Sequence, residues 1–159
     1  MKKMAAIEAI VGANLLTKDG LKDTKDVVKD KEVIVNKESA VIFSIFIIKG
    51  LYFSAHWCPP CRAFTPVLAE QYTKIKDKGK KFEVIFISSD RDQSAFNEYY
   101  NEMPWNALPF TATEQIGKVK QKYAIRGIPT LILLNPDGEI ISKDGRSLIS
   151  DKPDDFPWQ

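Results

Sequence analysis

Hydrophobic and polar positions along the chain follow two different periods, and the switches between them outline the elements. Residues 51–55 read as the end of a buried strand that runs into a turn carrying His56 and Trp57. From Pro59 to about Lys78 the apolar positions Phe64, Leu68, Tyr72 and Ile75 recur on one face of a helix, and Gly79 reads as its stop. Pro66 lies inside that pattern and is expected to kink it, because it lacks an N–H and its ring displaces a carbonyl. Phe82-Glu83-Val84-Ile85-Phe86-Ile87 is nearly continuous in apolar residues, the pattern of a strand covered on both faces.

Ser88-Ser89-Asp90 closes that strand, and Asp92 is placed to cap a helix bearing Phe96, Tyr99, Tyr100 and Met103, which Pro104 ends. Thr111-Ala112-Thr113-Glu114 fits a capping box opening a helix with Ile116, Val119 and Tyr123 on its apolar face. Residues 130–134 and 139–142 flank Asn135-Pro136-Asp137-Gly138, a hairpin signal, and a short helix is expected near Ser147. Up to about Lys37, apolar pairs such as Leu15-Leu16 and Val27-Val28 mix with Lys and Asp. That suggests short strands with turns at Gly20 and 23–26. The order strand, helix, strand, helix, helix, hairpin, helix predicts an α/β fold with a central mixed β-sheet flanked by helices. No repeat or linker divides it, so 1–159 reads as a single domain, with 1–40 as an N-terminal extension and 41–49 as an atypical apolar segment.

That segment, Val41-Ile42-Phe43-Ser44-Ile45-Phe46-Ile47-Ile48 followed by Lys49, departs from ordinary patterning. Joined to residues 51–55 it would make a strand longer than the usual three to ten residues. It also falls short of the roughly twenty apolar residues that span a bilayer. A strand starting near Ile48 is therefore expected, with Lys49 at its entry edge and its ammonium reaching solvent, since burying an isolated charge is costly. Part of residues 41–46 should stay exposed and promote aggregation, which charges introduced at Ile42 and Phe46 should relieve.

Composition narrows the function classes. A length of 159 residues suits one domain, and a formal net charge of +2 is too mild to imply nucleic acid as a partner. The lysines at 74, 76, 78, 80 and 81 read as a solvated helix end. Met1-Lys2-Lys3 resembles a secretory n-region, but Glu8 interrupts the apolar stretch and no cleavage site follows. An unprocessed cytoplasmic monomer is expected, with the nucleus as a second location and no membrane partner.

Cys58-Pro59-Pro60-Cys61 holds the only two cysteines of the chain. At a strand-to-helix junction the first cysteine meets unpaired N–H groups and the positive end of a helix dipole, which favour a thiolate. It is expected to be the more exposed and more acidic thiol, below the free value of about 8.5. The second, three positions on, is close enough to attack a mixed disulfide formed on the first. A zinc site would need two more ligands, and the chain has a single histidine. A purely structural bridge over so short a loop removes little chain entropy. Two unrelated thiols are the remaining alternative, which the Trp57-Cys58-Pro59-Pro60-Cys61 context disfavours. A CxxC without other cysteines also suits a reducing compartment.

Tyr52-Phe53-Ser54-Ala55-His56-Trp57-Cys58-Pro59-Pro60-Cys61-Arg62-Ala63-Phe64-Thr65-Pro66 resembles the tryparedoxin and nucleoredoxin branch of the thioredoxin superfamily. Phe82-Glu83-Val84, Met103-Pro104-Trp105, Gly127-Ile128-Pro129-Thr130 and Phe156-Pro157-Trp158 extend the resemblance from about Leu51 to the C-terminus. It implies a thioredoxin-like fold and a thiol–disulfide oxidoreductase that reduces protein disulfides. No bound cofactor is implied beyond the redox-active Cys58–Cys61 disulfide, with an external thiol or reductase as electron donor. Disulfide-containing proteins, peroxidases among them, are the implied partners. A redox-gated protein-binding module using the same surface is the alternative.

The resemblance also implies roles. Cys58 is the attacking thiolate and Cys61 the resolving thiol, with Pro59 and Pro60 supporting the turn between them. Trp57 forms an apolar rim that keeps water from the sulfurs. Pro129, after Ile128, is a cis-proline facing the cysteines, whose neighbouring backbone groups can pair with an extended substrate. His56, if charged, helps depress the Cys58 pKa. Arg62 either steadies the first helical turn, contacts substrate, or is merely exposed. Two readings stay open for Glu83: a buried acid relaying a proton to Cys61, or a side chain facing outward at a strand end. Nucleoredoxins proper carry several domains, which weakens the transfer of their signalling-partner roles to the single domain expected here.

Overall fold

The computed structural model describes residues 10–12, 14–23 and 47–158. In chain order these form β1 (Asn14–Thr17), β2 (Gly20–Asp23), β3 (Ile48–Ser54), α1 (Pro59–Asp77), β4 (Phe82–Ser88), α2 (Gln93–Asn101), β5 (Asn106–Ala107), α3 (Thr113–Lys122), β6 (Thr130–Leu134), β7 (Ile140–Ser142) and α4 (Gly145–Asp151). A 3-10 turn over Pro153–Asp155 follows. The strands join in one mixed sheet in the order β2-β1-β5-β4-β3-β6-β7.

β3 is the strand on which the site depends. Its residues are all buried, with β4 parallel on one side, Ile48 facing Phe82 and Ser54 facing Ser88, and β6 antiparallel on the other. Alternate side chains serve opposite faces, as strand geometry requires. Tyr52, Val84, Phe86, Leu131 and Leu133 pack with residues of α1, α2 and α4, whereas Leu51, Phe53, Ile85, Ile87, Ile132 and Leu134 pack with α3 and with Ile10, Val11 and Leu15. Gly50 belongs to this close packing: a Cβ there would lie 3.1 Å from Leu131 Cδ1.

α1 presents Phe64, Leu68, Tyr72 and Ile75 to the core, as its periodicity indicates, and the helix runs through Pro66. It ends in a Schellman arrangement: Gly79 N donates to Lys76 O at 2.9 Å and Lys80 N to Ile75 O at 3.3 Å, with Gly79 at φ 74°. Asp92 caps α2 through Ala95 N, and Asn135 Oδ1 accepts from Asp137 N and Glu139 N in the β6–β7 turn.

Three expectations need correction or limits. The capping box at Thr111 does not form: α3 starts at Thr113, its N-cap position is Ala112, and Ala112 N is turned back to Pro109 O. Glu114 instead pairs with Lys118 at 2.9 Å, one turn along the helix. Lys49 is the second residue of β3 but does not reach solvent; it is 6% exposed and its Nζ donates to Pro136 O at 3.4 Å. Lys49 lies opposite Leu134, so the β6–β7 turn that follows supplies a carbonyl in place of water. The expectations for residues 41–46 and for substitutions at Ile42 and Phe46 lie outside the described residues, as does most of the N-terminal extension. Among the described residues no helix is long and apolar enough to cross a membrane.

Gly79→Ala should lower stability by about 1 kcal/mol, since an L side chain is strained at its positive φ. A lower urea midpoint at constant slope is the expected measurement, and an unchanged midpoint would refute the assigned role of Gly79.

Candidate active site

β3 ends at Ser54, and the chain turns through Ala55, His56 and Trp57 into α1. Two bonds fix that turn to the end of β4. His56 N donates to Asp90 Oδ1 at 2.7 Å, and Trp57 Nε1 donates to Ser89 O at 3.0 Å. Asp90 is itself held by Ser88 Oγ, which donates to its Oδ2 at 2.7 Å. The His56 ring stacks on Tyr99, with centroids 5.4 Å apart, and its Nδ1 is 4.0 Å from Glu98 Oε2.

Cys58 occupies the N-cap of α1 in an extended conformation, and its Sγ accepts from Cys61 N at 3.4 Å. Cys58 and Cys61 are paired as a disulfide with Cα atoms 5.2 Å apart. Cys58 is 4% exposed and Cys61 0%, so the accessible edge of the pair belongs to Cys58. Pro59 and Pro60 fill the first two helical positions and are exposed. Opposite them the Ile128–Pro129 peptide bond is cis, and Ile128 O lies 3.8 Å from Cys58 Sγ. Ile128 packs against Ala55, Cys58 and Cys61. Trp57, 49% exposed, stands beside the sulfurs with the Arg91 guanidinium 5.2 Å from its ring.

Arg62 is exposed one residue beyond Cys61, and its backbone N donates to Cys58 O at 3.1 Å. Glu83 does not join the dithiol. It pairs with Lys76 at 3.3 Å and accepts from Tyr72 OH at 3.4 Å, near the C-terminal end of α1. The proton-relay reading of Glu83 is thereby corrected: it is the second residue of β4, whereas the dithiol lies beyond the far end of the neighbouring β3. Burial alone would lower the Lys76 pKa, but the hydrogen bond to Tyr72 and the charge of Glu83 outweigh it and hold it above its ordinary value.

Sequence reasoning missed the polar cluster beneath the pair. Tyr52 OH donates to Cys61 O at 3.4 Å and is 2.6 Å from Thr65 Oγ1, which also donates to Cys61 O at 3.0 Å. Tyr99 OH joins Thr65 Oγ1 and Ser54 Oγ, and Ser54 Oγ donates to Tyr52 OH. Burial, and then the neighbouring Tyr99, push the Tyr52 phenol well above its ordinary range. Nothing in the sequence pattern links these four hydroxyls, and only tertiary contact converges them. Arg146 was missed as well; its Nη1 donates to Pro129 O at 3.3 Å. Among the described residues no cluster of three or more His, Cys, Asp or Glu could hold a metal ion.

Comparison with known proteins places this geometry in context. A family model described as thioredoxin-like matches residues 48–140. Nucleoredoxin of Bos taurus is 51% identical over 111 residues, covering 69% of the chain and 26% of that protein. The chain thus spans about a quarter of the length of that relative. Tryparedoxin of Trypanosoma brucei brucei is 49% identical over 111 residues, covering 68% of the chain and 76% of the relative. Among solved structures, a tryparedoxin from Trypanosoma brucei superposes with a TM-score of 0.77 at 36% identity, covering 96% of this chain and 97% of the other. A tryparedoxin II complexed with glutathionylspermidine gives 0.78 at 30% identity, over 96% and 98%.

In the reduced protein, iodoacetamide should modify Cys58 before Cys61, because only Cys58 has an exposed edge. Mass spectrometry at early times measures the order; prior labelling of Cys61 would reverse the assignment. Thr65→Val should cost about 1–3 kcal/mol, by leaving the Tyr52 and Tyr99 hydroxyls short of a partner. The raised Tyr52 pKa adds a pH dependence. The folded protein holds that proton where an unfolded tyrosine releases it, so the contribution is full below about pH 10 and is lost as pH rises through the folded value. Denaturation midpoints from neutral to alkaline pH should decline only above about pH 10, and less steeply in Tyr52→Phe.

Proposed function

Because the chain belongs to the thioredoxin-like family, within its nucleoredoxin and tryparedoxin branch, we propose that it is a thiol–disulfide oxidoreductase reducing disulfides in other proteins. The observation that carries the reading is the position of Cys58 Sγ. It sits at the start of α1, accepts the Cys61 N–H, and presents the accessible edge of the pair beside the cis Ile128–Pro129 bond.

In the reduced enzyme the Cys58 thiolate attacks one sulfur of a substrate disulfide. A new S–S bond forms to Cys58, the substrate S–S bond breaks, and the departing thiolate takes up a proton. Cys61, as thiolate, then attacks Cys58 Sγ, which closes the Cys58–Cys61 disulfide and expels the second substrate thiolate. The substrate gains two electrons and the enzyme loses two. An external thiol or reductase returns them, and no resident cofactor is needed beyond the disulfide itself. A small thiol is the donor class favoured, since a similar tryparedoxin has been solved with glutathionylspermidine. The apolar rim of Trp57 and Ile128 excludes water from the exchanging sulfurs. The protein substrates include peroxidases, and the protein works in a reducing compartment, the cytoplasm or the nucleus.

Turnover of a model protein disulfide under excess reductant tests the reading. Wild type should cycle many times, Cys58→Ser should be inactive, and Cys61→Ser should accumulate a mixed disulfide on Cys58. Stoichiometric trapping by wild type without turnover would sink the enzyme reading in favour of a redox-gated binder.

A further inference from the structure

The chain contains four arginines, and the other nineteen of its 23 basic residues are lysines. All four arginines lie on segments next to the dithiol or on side chains that touch its neighbours Trp57 and Pro129. Arg62 follows Cys61 in the first turn of α1, and Arg126 lies two residues before Ile128 in the turn leading to the cis-proline. Arg91 stacks on Trp57 at 5.2 Å. Arg146 lies 5.5 Å from the Phe64 ring and donates to Pro129 O. Each is exposed.

We infer that this rim reads carboxylates, and that the disulfides reduced at Cys58 lie in acidic segments of their proteins; the inference rests on the oxidoreductase reading above. Three features argue for it. Arginine offers a planar fork of donors that matches a carboxylate in two parallel bonds, which lysine cannot do. Arg91 and Arg146 are already held against aromatic rings, so less side-chain freedom is lost when a partner binds. Three nearby carboxylates already serve local bonds: Asp90 accepts from His56 N and Ser88 Oγ, Asp92 caps Ala95 N and Asp144 caps Ser147 N, whereas Glu98 stays exposed 4.0 Å from His56 Nδ1. Lys120 adds positive charge behind the rim, where its Nζ donates to Ser89 Oγ at 2.7 Å. The lysines of the α1 C-terminal end play no part, being at the far end of that helix.

Charge arrayed around a small reactive edge acts mainly on encounter and on the exclusion of wrong partners. Because the rim is exposed, its effect is screened by salt over a Debye length of about 8 Å at physiological ionic strength. The preference should therefore appear in KM more than in kcat, and should fade as salt rises.

Two synthetic peptides, each closed by one disulfide and flanked either by Asp and Glu or by Lys, provide the test. With excess reductant and low salt, kcat/KM for the acidic peptide should exceed that for the lysine peptide by about tenfold. The ratio should shrink toward one at about 0.5 M salt. The double variant Arg91→Glu, Arg126→Glu should reverse the ratio at low salt. Comparable rates for both peptides with wild type, or a preference for the lysine peptide, would overturn the inference and leave the oxidoreductase reading standing. Failure to turn over either peptide would overturn that reading and this inference together.

Discussion

Helix α1 begins with a sulfur where helices commonly begin with a side-chain oxygen, and the site depends on that substitution. A helix start leaves four N–H groups without partners. Here Pro59 and Pro60 remove two of them outright. Cys58 N is taken by Ala55 O, which leaves Cys61 N–H, directed at Cys58 Sγ. One donor and the helix dipole thus converge on one atom, and any negative charge that develops on Cys58 is met by both. The same geometry sets Cys61 inside the first turn, within reach of Cys58 but away from solvent.

That arrangement holds only if the platform beneath it does not move. The turn before Cys58 is tied to the end of β4 through Asp90 and Ser89, while Ser89 N returns to Ser54 O at 2.9 Å. Parallel pairing of β3 with β4 makes this possible, because both strands end on the same side of the sheet. The hydroxyls of Tyr52, Ser54, Thr65 and Tyr99 fasten the first turn of α1 to the sheet and to α2. Buried polar groups are expensive unless every one finds a partner, and in this cluster each hydroxyl does. The cluster contains no carboxylate, so it anchors the helix without placing a negative charge beneath the thiols.

Much of this was legible in the sequence where a pattern repeats. The apolar face of α1, the buried run of β4 and the Asn135–Gly138 turn each rest on several residues that agree, and all three form. The Cys58–Cys61 pair and the cis Ile128–Pro129 bond were legible because short motifs carry them. Isolated signals fared worse. Thr111 has the chemistry of a cap, but the helix start was decided by the Pro109 turn, which local pattern does not reveal. β5, two residues long, carries no periodicity to read. Lys49 was assigned to solvent because nothing in sequence shows that the carbonyl of Pro136, far along the chain, covers it. The hydroxyl cluster was invisible for the same reason, since its members come from β3, α1 and α2.

Glu83 shows why an isolated charge in an apolar strand is ambiguous, and distance settles its role. Composition reveals that it interrupts the run, but not which end of the sheet it occupies. The register puts it opposite Lys49, five residues back from the Ser54–Ser88 pair, or about 16 Å at strand spacing. Its partner Lys76 lies fifteen residues along α1 from Cys61, about 22 Å at helical rise. Both separations exceed the Debye length of about 8 Å. A proton on Glu83 has no direct path to Cys61, and its charge, already opposed by Lys76, acts only weakly on the sulfurs. What the Cys58 sulfur meets at its own end of the helix is the Cys61 N–H and the positive end of the dipole, with Glu83 remote from both.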